Sequence, residues 1–204
     1  MYTDRLPLAF YARSALEVAP DLLGKLLVHV TPEGIASGYI TETEAYMGPE
    51  DKAAHSYSGR KTKRTQAMFG PPGHAYIYFI YGMYYCFNVV VATEGEPQAV
   101  LIRGLKPKDG IDIMLVRRQS NKKSNTTTPI KSLQLANGPG KLCQALGITK
   151  EQYGYDLSGD TLFITPGKAV TPKDILAKPR INIDYAEEWA DLPWRFVWNE
   201  HHKP

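Results

Sequence analysis

Read along the chain, the hydrophobic and polar positions change period several times, and each change marks an element. Residues 14–29 suggest a short helix around Pro20 and Asp21, which act as start signals for the LLGKLL segment and its run into a first strand. From Gly38 to Tyr46 the alternation is that of a strand with Ile40, Glu42, Glu44 and Tyr46 on one face. Met47-Gly48-Pro49 ends it, and Glu50 to His55 fits a helical turn. Residues 56–73 are polar, basic and rich in Gly and Pro, which predicts a loop. Ala99 to Leu105 reads as a buried strand carrying one arginine, and Asp109 to Arg118 as a helix. A probable-loop composition of Ser, Asn, Lys and Thr follows at 120–132, predicting a mobile segment. Pro139 near a helix start and Gly147 at its end bracket another short helix. Later strands are expected at 161–165, 180–183 and 195–198. No repeat or linker interrupts the series, so 1–204 reads as a single α+β domain.

One segment breaks the ordinary pattern. Residues 75–92 are uncharged for 18 positions and hold seven of the 22 aromatic residues. That length admits a membrane span, but five tyrosines, Asn88 and the central Gly82 are costly in hydrocarbon. Aromatic and β-branched residues predict instead two strands bending near Tyr81-Gly82-Met83, a tyrosine-rich hairpin. So many phenols suit a surface that grips something flat better than a packed core.

Composition adds less than charge distribution does. The chain is long enough for its own core, and 43% hydrophobic content excludes a disordered chain. Two cysteines, Cys86 and Cys143, make neither a zinc cluster nor a disulfide scaffold, and their apolar flanks predict buried, inert thiols. MYTDRLPLAF shows no secretion signal, which predicts a cytoplasmic protein of bacterial style. The net charge of +3 is small, but residues 60–64 carry +4 and residues 103–131 carry +6. These two stretches make +10, leaving −7 for the rest, so one face can bind phosphate. Two solvated loops would give the same count.

Few residues offer chemistry. Glu42 and Glu44, about 7 Å apart on one strand face, resemble the carboxylate pair of an inverting sugar hydrolase, or two solvated glutamates. Glu44, Tyr46 and His55 place an acid, a ring and an imidazole around one turn. Glycines and Lys141 at the 139–146 helix start form an anion site without Walker spacing. His201 and His202 sit in the tail without an evident role. Basic stretches, a tyrosine hairpin and one carboxylate beside rings are the parts that base flipping needs.

The segment Glu42-Thr43-Glu44-Ala45-Tyr46-x-Gly48-Pro49-x-Asp51-x-Ala53-Ala54-His55 resembles the signature of the alkyladenine (3-methyladenine) DNA glycosylase family. The similarity continues through Tyr76-Ile77-Tyr78, Ile80-Tyr81-Gly82-Met83-Tyr84, Leu101-Ile102-Arg103-Gly104-Leu105, Gly138-Pro139-x-Lys141 and Pro179-Arg180-Ile181. It covers about residues 9–198. The resemblance implies a largely antiparallel, curved sheet with flanking helices and a protruding hairpin. It implies a monofunctional glycosylase acting on duplex DNA with damaged purines, as a monomer associated with the nucleoid, with no cofactor and no metal. By the same resemblance Glu44 activates the attacking water and Arg103 helps hold it. Tyr46, His55 and Tyr78 sandwich the flipped base, Asn88 crowds the 2-amino group of guanine, and Tyr81 is the wedge. Lys141 at the helix start, and Arg60 and Arg64 of the first basic stretch, are the expected phosphate contacts. Glu42 falls outside this set, which turns the reading away from a two-carboxylate sugar hydrolase. A binding module of the same fold without turnover is the other alternative.

Overall fold

Eight strands, all paired antiparallel, form one sheet in the computed structural model, which describes residues 2–120 and 130–199. The strands are β1 (Leu26–Thr31), β2 (Gly34–Tyr46), β3 (Ala75–Ile80), β4 (Tyr84–Val91), β5 (Gln98–Asp109), β6 (Leu162–Thr165), β7 (Ile175–Lys178) and β8 (Arg195–Trp198). Their main order is β3-β4-β5-β2-β1-β6. The long β2 carries β5 on one edge; on the other, β1 pairs with its first half and β8 with Glu42 to Glu44. β7 closes on β8. Among the described residues four α-helices accompany the sheet: α1 (Leu8–Tyr11), α2 (Ala15–Asp21), α3 (Ile111–Ser120) and α4 (Pro139–Leu146).

The period of two decides what each face of this sheet holds. Ala75 and Ile77 of β3, Phe87 and Val89 of β4, and Val100 and Ile102 of β5 are buried in the main core. Val18, Ala19 and Leu22, in and just after α2, and Leu142, Cys143 and Leu146 of α4 complete that core. The intervening residues, Tyr76, Tyr78, Cys86, Asn88, Leu101 and Arg103, line a cavity. One face is therefore apolar and covered by helices, while the other is aromatic and polar.

Most predicted elements are present, with four corrections. Helix α2 begins at Ala15 rather than at Pro20, because the Glu17 carboxylate accepts hydrogen bonds from both Ser14 N and Ser14 Oγ and fixes the start there. Pro20 lies in the last turn and helps to end the helix. Residues 50–55 form successive tight turns rather than a helical turn, since Asp51 accepts from Met47 N and Ala53 N and draws the chain around its carboxylate. Residues 180–183 are not a strand: Ile181 N is committed to Glu44, Asn182 has a φ of 59°, and the strand in this region is β7. Ile40 does not share the face of Glu44 and Tyr46. Irregular pairing with β5 between Ile40 and Thr43 turns Ile40 into the core beside Ala45. The predicted loop at 120–132 falls mostly outside the described residues, as do His201 and His202. No helix among the described residues is long and apolar enough to cross a membrane.

Candidate active site

The end of β2 carries the acid. Ala45 faces the core, so its neighbours Glu44 and Tyr46 face the other way, toward the cavity side. Glu44 is completely buried. Its Oε1 accepts from Ile181 N at 2.9 Å and lies 3.4 Å from Arg103 Nη1, and its Oε2 accepts from the Tyr46 hydroxyl at 2.9 Å. Burial pushes the carboxyl above the usual carboxylate range, although Arg103 and the two donors pull the other way. This arrangement keeps a carboxylate basic while fixing its direction.

Arg103 reaches this carboxylate from β5. Its Nε donates to Glu42 Oε1 at 3.0 Å, and Arg195 Nη1 of β8 donates to the same oxygen at 2.9 Å. Burial works against the Arg103 cation, but Glu44 and Glu42 outweigh it and raise its pKa. Glu42 thus sits between two arginines and orients Arg103. The two carboxylates are therefore not equivalent: Glu44 is the buried acid and Glu42 the one that anchors Arg103.

Tyr46, Arg103 and Ile181, the residues that hold Glu44, help to line a cavity of about 370 Å³, within the range of small-ligand pockets; Glu44 itself lies behind them and is not part of the lining. The cavity walls include Tyr46, His55, Tyr78 and Asn88, so the four expected base-contacting residues come together. Tyr81 also reaches its rim, from the hairpin tip between β3 and β4. It is 68% exposed, and both Tyr81 (φ 53°) and Gly82 (φ 63°) adopt left-handed backbone. For a tyrosine that conformation is uncommon, and it presents the ring outward. Asn88 is anchored by Nδ2 donating to Tyr76 O at 3.0 Å.

His55 packs edge to face with Tyr78, their centroids 4.6 Å apart and their planes at 81°. Its Nδ1 lies 2.8 Å from the Tyr76 hydroxyl. Burial, helped by Arg64, lowers its pKa to about 4, so the ring is neutral at pH 7. The folded protein resists this proton down to about pH 4, whereas the unfolded chain takes it up near 6.5, the ordinary value for histidine. The stabilising contribution is therefore full above 6.5 and is lost as pH falls toward 4. We expect a loss on the order of 2 kcal/mol, allowing for partial solvent contact. Urea midpoints measured between pH 7 and 4.5 should fall less steeply for His55→Gln than for the parent.

The cations are spread around this opening. Arg64 is exposed, 3.5 Å from His55 Nε2, with its guanidinium 5.3 Å from the Tyr78 ring centroid. Lys141 is exposed in the first turn of α4 and donates to Asn137 Oδ1, while the adjacent Pro139 and Gly140 line the cavity. Arg60 is exposed on the loop that also carries Arg64. Cys86 and Cys143 are buried free thiols with raised pKa, as expected, although Cys86 also lines the cavity.

Sequence reasoning gave no role to several residues here. Ile181 acts through its main-chain N–H, which carries no residue-type signal. Asp51 and Arg180 stood in the recognised motifs without a function, yet they form a bidentate pair buried beside Tyr46. Tyr185, 67% exposed, lines the rim as well.

Comparison with known proteins agrees with this geometry. The profile of the methylpurine-DNA glycosylase (MPG) family matches residues 9–202. A Bacillus mycoides protein is 54% identical over 199 residues, covering 96% of each chain. Proteins of Bacillus cereus and Bacillus anthracis are 53% identical over 203 residues, again covering 96% of each chain. All three carry the provisional name 3-methyladenine DNA glycosylase. With a match over nearly its whole length and a buried acid beside an aromatic cavity, the chain belongs to the methylpurine-DNA glycosylase family, a family of DNA-repair hydrolases.

Proposed function

We propose that this protein is a monofunctional glycosylase of base excision repair, hydrolysing the N-glycosidic bond of alkylated or deaminated purines flipped from duplex DNA. The substrates in this reading are 3-methyladenine, 7-methylguanine, hypoxanthine and ethenoadenine. The observation that carries it is Glu44: a fully buried carboxyl raised by its surroundings, held by three donors beside an aromatic cavity.

Glu44, with Arg103 beside it, orients a water and takes its proton as the oxygen attacks C1′ of the sugar. The bond to the purine breaks, and its electrons leave with the base. Alkylation at N3 or N7 makes the purine cationic, which weakens that bond and favours contact with aromatic faces. A neutral His55 does not repel such a base. His55 and Tyr78 are nearly perpendicular, so a flat base stacked on one meets the edge of the other. Asn88 in the wall is suited to reject the 2-amino group of normal guanine. Water rather than an amine is the nucleophile in this reading, with no abasic-site lyase activity; among the described residues no lysine lines the cavity. Arg60, Arg64 and Lys141 serve as phosphate contacts in this reading, and the protein acts as a monomer.

The test is direct. Duplexes bearing one hypoxanthine, ethenoadenine or 3-methyladenine are incubated with folded protein, and free base is measured. Release of none of these bases sinks the reading. Tyr81 is placed as the wedge that occupies the vacated stack. Tyr81→Ser is expected to weaken retention of the flipped state about tenfold, since base–aromatic stacking is worth about 1–3 kcal/mol. Ethenoadenine fluorescence in bound duplex reports this state, and an unchanged signal would remove Tyr81 from the role.

A further inference from the structure

Resting on that functional reading, we propose that Arg180, paired with Asp51, is a positioning residue for the reaction. One buried guanidinium sets both the Tyr46 ring and the main-chain N–H that holds Glu44.

Both side chains of the pair are fully buried. Arg180 Nη1 donates to Asp51 Oδ2 at 2.5 Å and to Ala45 O at 3.0 Å. Its Nη2 donates to Asp51 Oδ1 at 2.8 Å and to Trp189 O at 3.4 Å. The guanidinium carbon lies 4.8 Å from the Tyr46 ring centroid and 5.0 Å from that of Trp194. Ala45 stands between Glu44 and Tyr46 in the chain, and Ile181, donor to Glu44, directly follows Arg180. Asp51 meanwhile gathers Met47 N and Ala53 N, the latter from a residue of the cavity wall. A single ion pair therefore joins the end of β2, the 47–53 turns and the 180–181 segment.

A buried ion pair is a poor choice for stability alone, because desolvation consumes much of its attraction. Arg180 Nε even lacks a hydrogen-bond partner among the described residues. What apolar side chains could not supply is direction: a planar fork fixes two carboxylate oxygens and two carbonyls at once while its flat surface contacts two rings. Lysine keeps the charge but supplies neither the fork nor the plane.

The test uses Arg180→Lys and the double variant Asp51→Asn/Arg180→Gln, which leaves no buried charge unpaired. Single-turnover release of hypoxanthine from a saturating duplex is followed against pH, beside duplex affinity and thermal melting. We expect affinity within about twofold and release slowed about tenfold, as for a displaced reacting group. The acid limb of the rate profile should move to higher pH, because a carboxylate that loses the Ile181 donor binds its proton more readily. The groups facing Glu44 are Arg103 of β5, Glu42 and Tyr46 of β2, Tyr78 of β3, Cys86 of β4, and Tyr185; none of them is substituted, and a displaced Tyr46 hydroxyl would move the limb in the same direction as a lost Ile181 donor. A lower melting temperature with an unmoved acid limb would reduce the pair to a structural role and overturn the proposal. Loss of the fold in both variants would overturn it too, by leaving no separable role in the site. Failure of the parent protein to release any base sinks the functional reading, whereas a turning-over parent with unshifted variants sinks only this inference.

Discussion

Glu44→Gln is expected to stop base release while leaving the protein folded and bound to lesion DNA. The substitution is nearly isosteric. The remaining amide oxygen can still accept from Ile181 N, and the Tyr46 hydroxyl, which donates to the carboxylate in the parent, can turn to accept from the new amide. What disappears is the capacity to take a proton from water. General-base catalysis is worth about 10²–10⁴-fold, and single-turnover release should fall by that amount. In the parent, the acid limb should lie above the ordinary carboxylate range, since burial raises Glu44 and protonation removes the active form. Residual release by the variant should lose that limb. Full turnover by Glu44→Gln would assign the base to another residue.

The second large effect is expected at Arg103. In Arg103→Met, Glu42 keeps Arg195 as partner, but Glu44 loses its cation in a buried site. Its proton is then held more tightly, because Arg103 is the largest influence lowering its pKa in the parent. Release at pH 7 should drop about 100-fold, the scale for losing one preorganised donor at a reacting charge. It should recover partly as pH rises, which simple unfolding would not produce. Stability should move the opposite way. A carboxyl whose folded pKa lies above its unfolded one binds more protons when folded, so stability falls as pH rises through that window. The variant should therefore melt higher near pH 5 than near pH 8. A pH-independent loss of rate would separate Arg103 from the ionisation of Glu44.

Parts of this molecule were legible before its coordinates. Aromatic and β-branched enrichment across 75–92 marked the hairpin, and the structure has β3 and β4 meeting around Tyr81 and Gly82. Pro139 and Gly147 marked both ends of α4. The motif around Glu44 brought the family into view, and the expected base-contacting residues do line one cavity. The start of α2 was misread because Pro20 and Asp21 have start-signal chemistry, while the acting signal was Ser14 with Glu17 three residues later. At Ile40 strict alternation failed because the pairing with β5 is irregular, a property of two strands together and not of either alone.

The chain by itself determined the α+β class, the tyrosine hairpin and the family. These follow from local periods, turn chemistry and residue type, all of which act over short distances. Tertiary structure alone decided that Glu42 anchors Arg103, that Ile181 N–H holds Glu44, and that Arg180 packs against Tyr46. Arg180 lies 129 residues from Asp51, and Ile181 lies 137 from Glu44. Contacts across such separations depend on which strands pair and which segment is folded over the sheet. No spacing rule along the sequence expresses that.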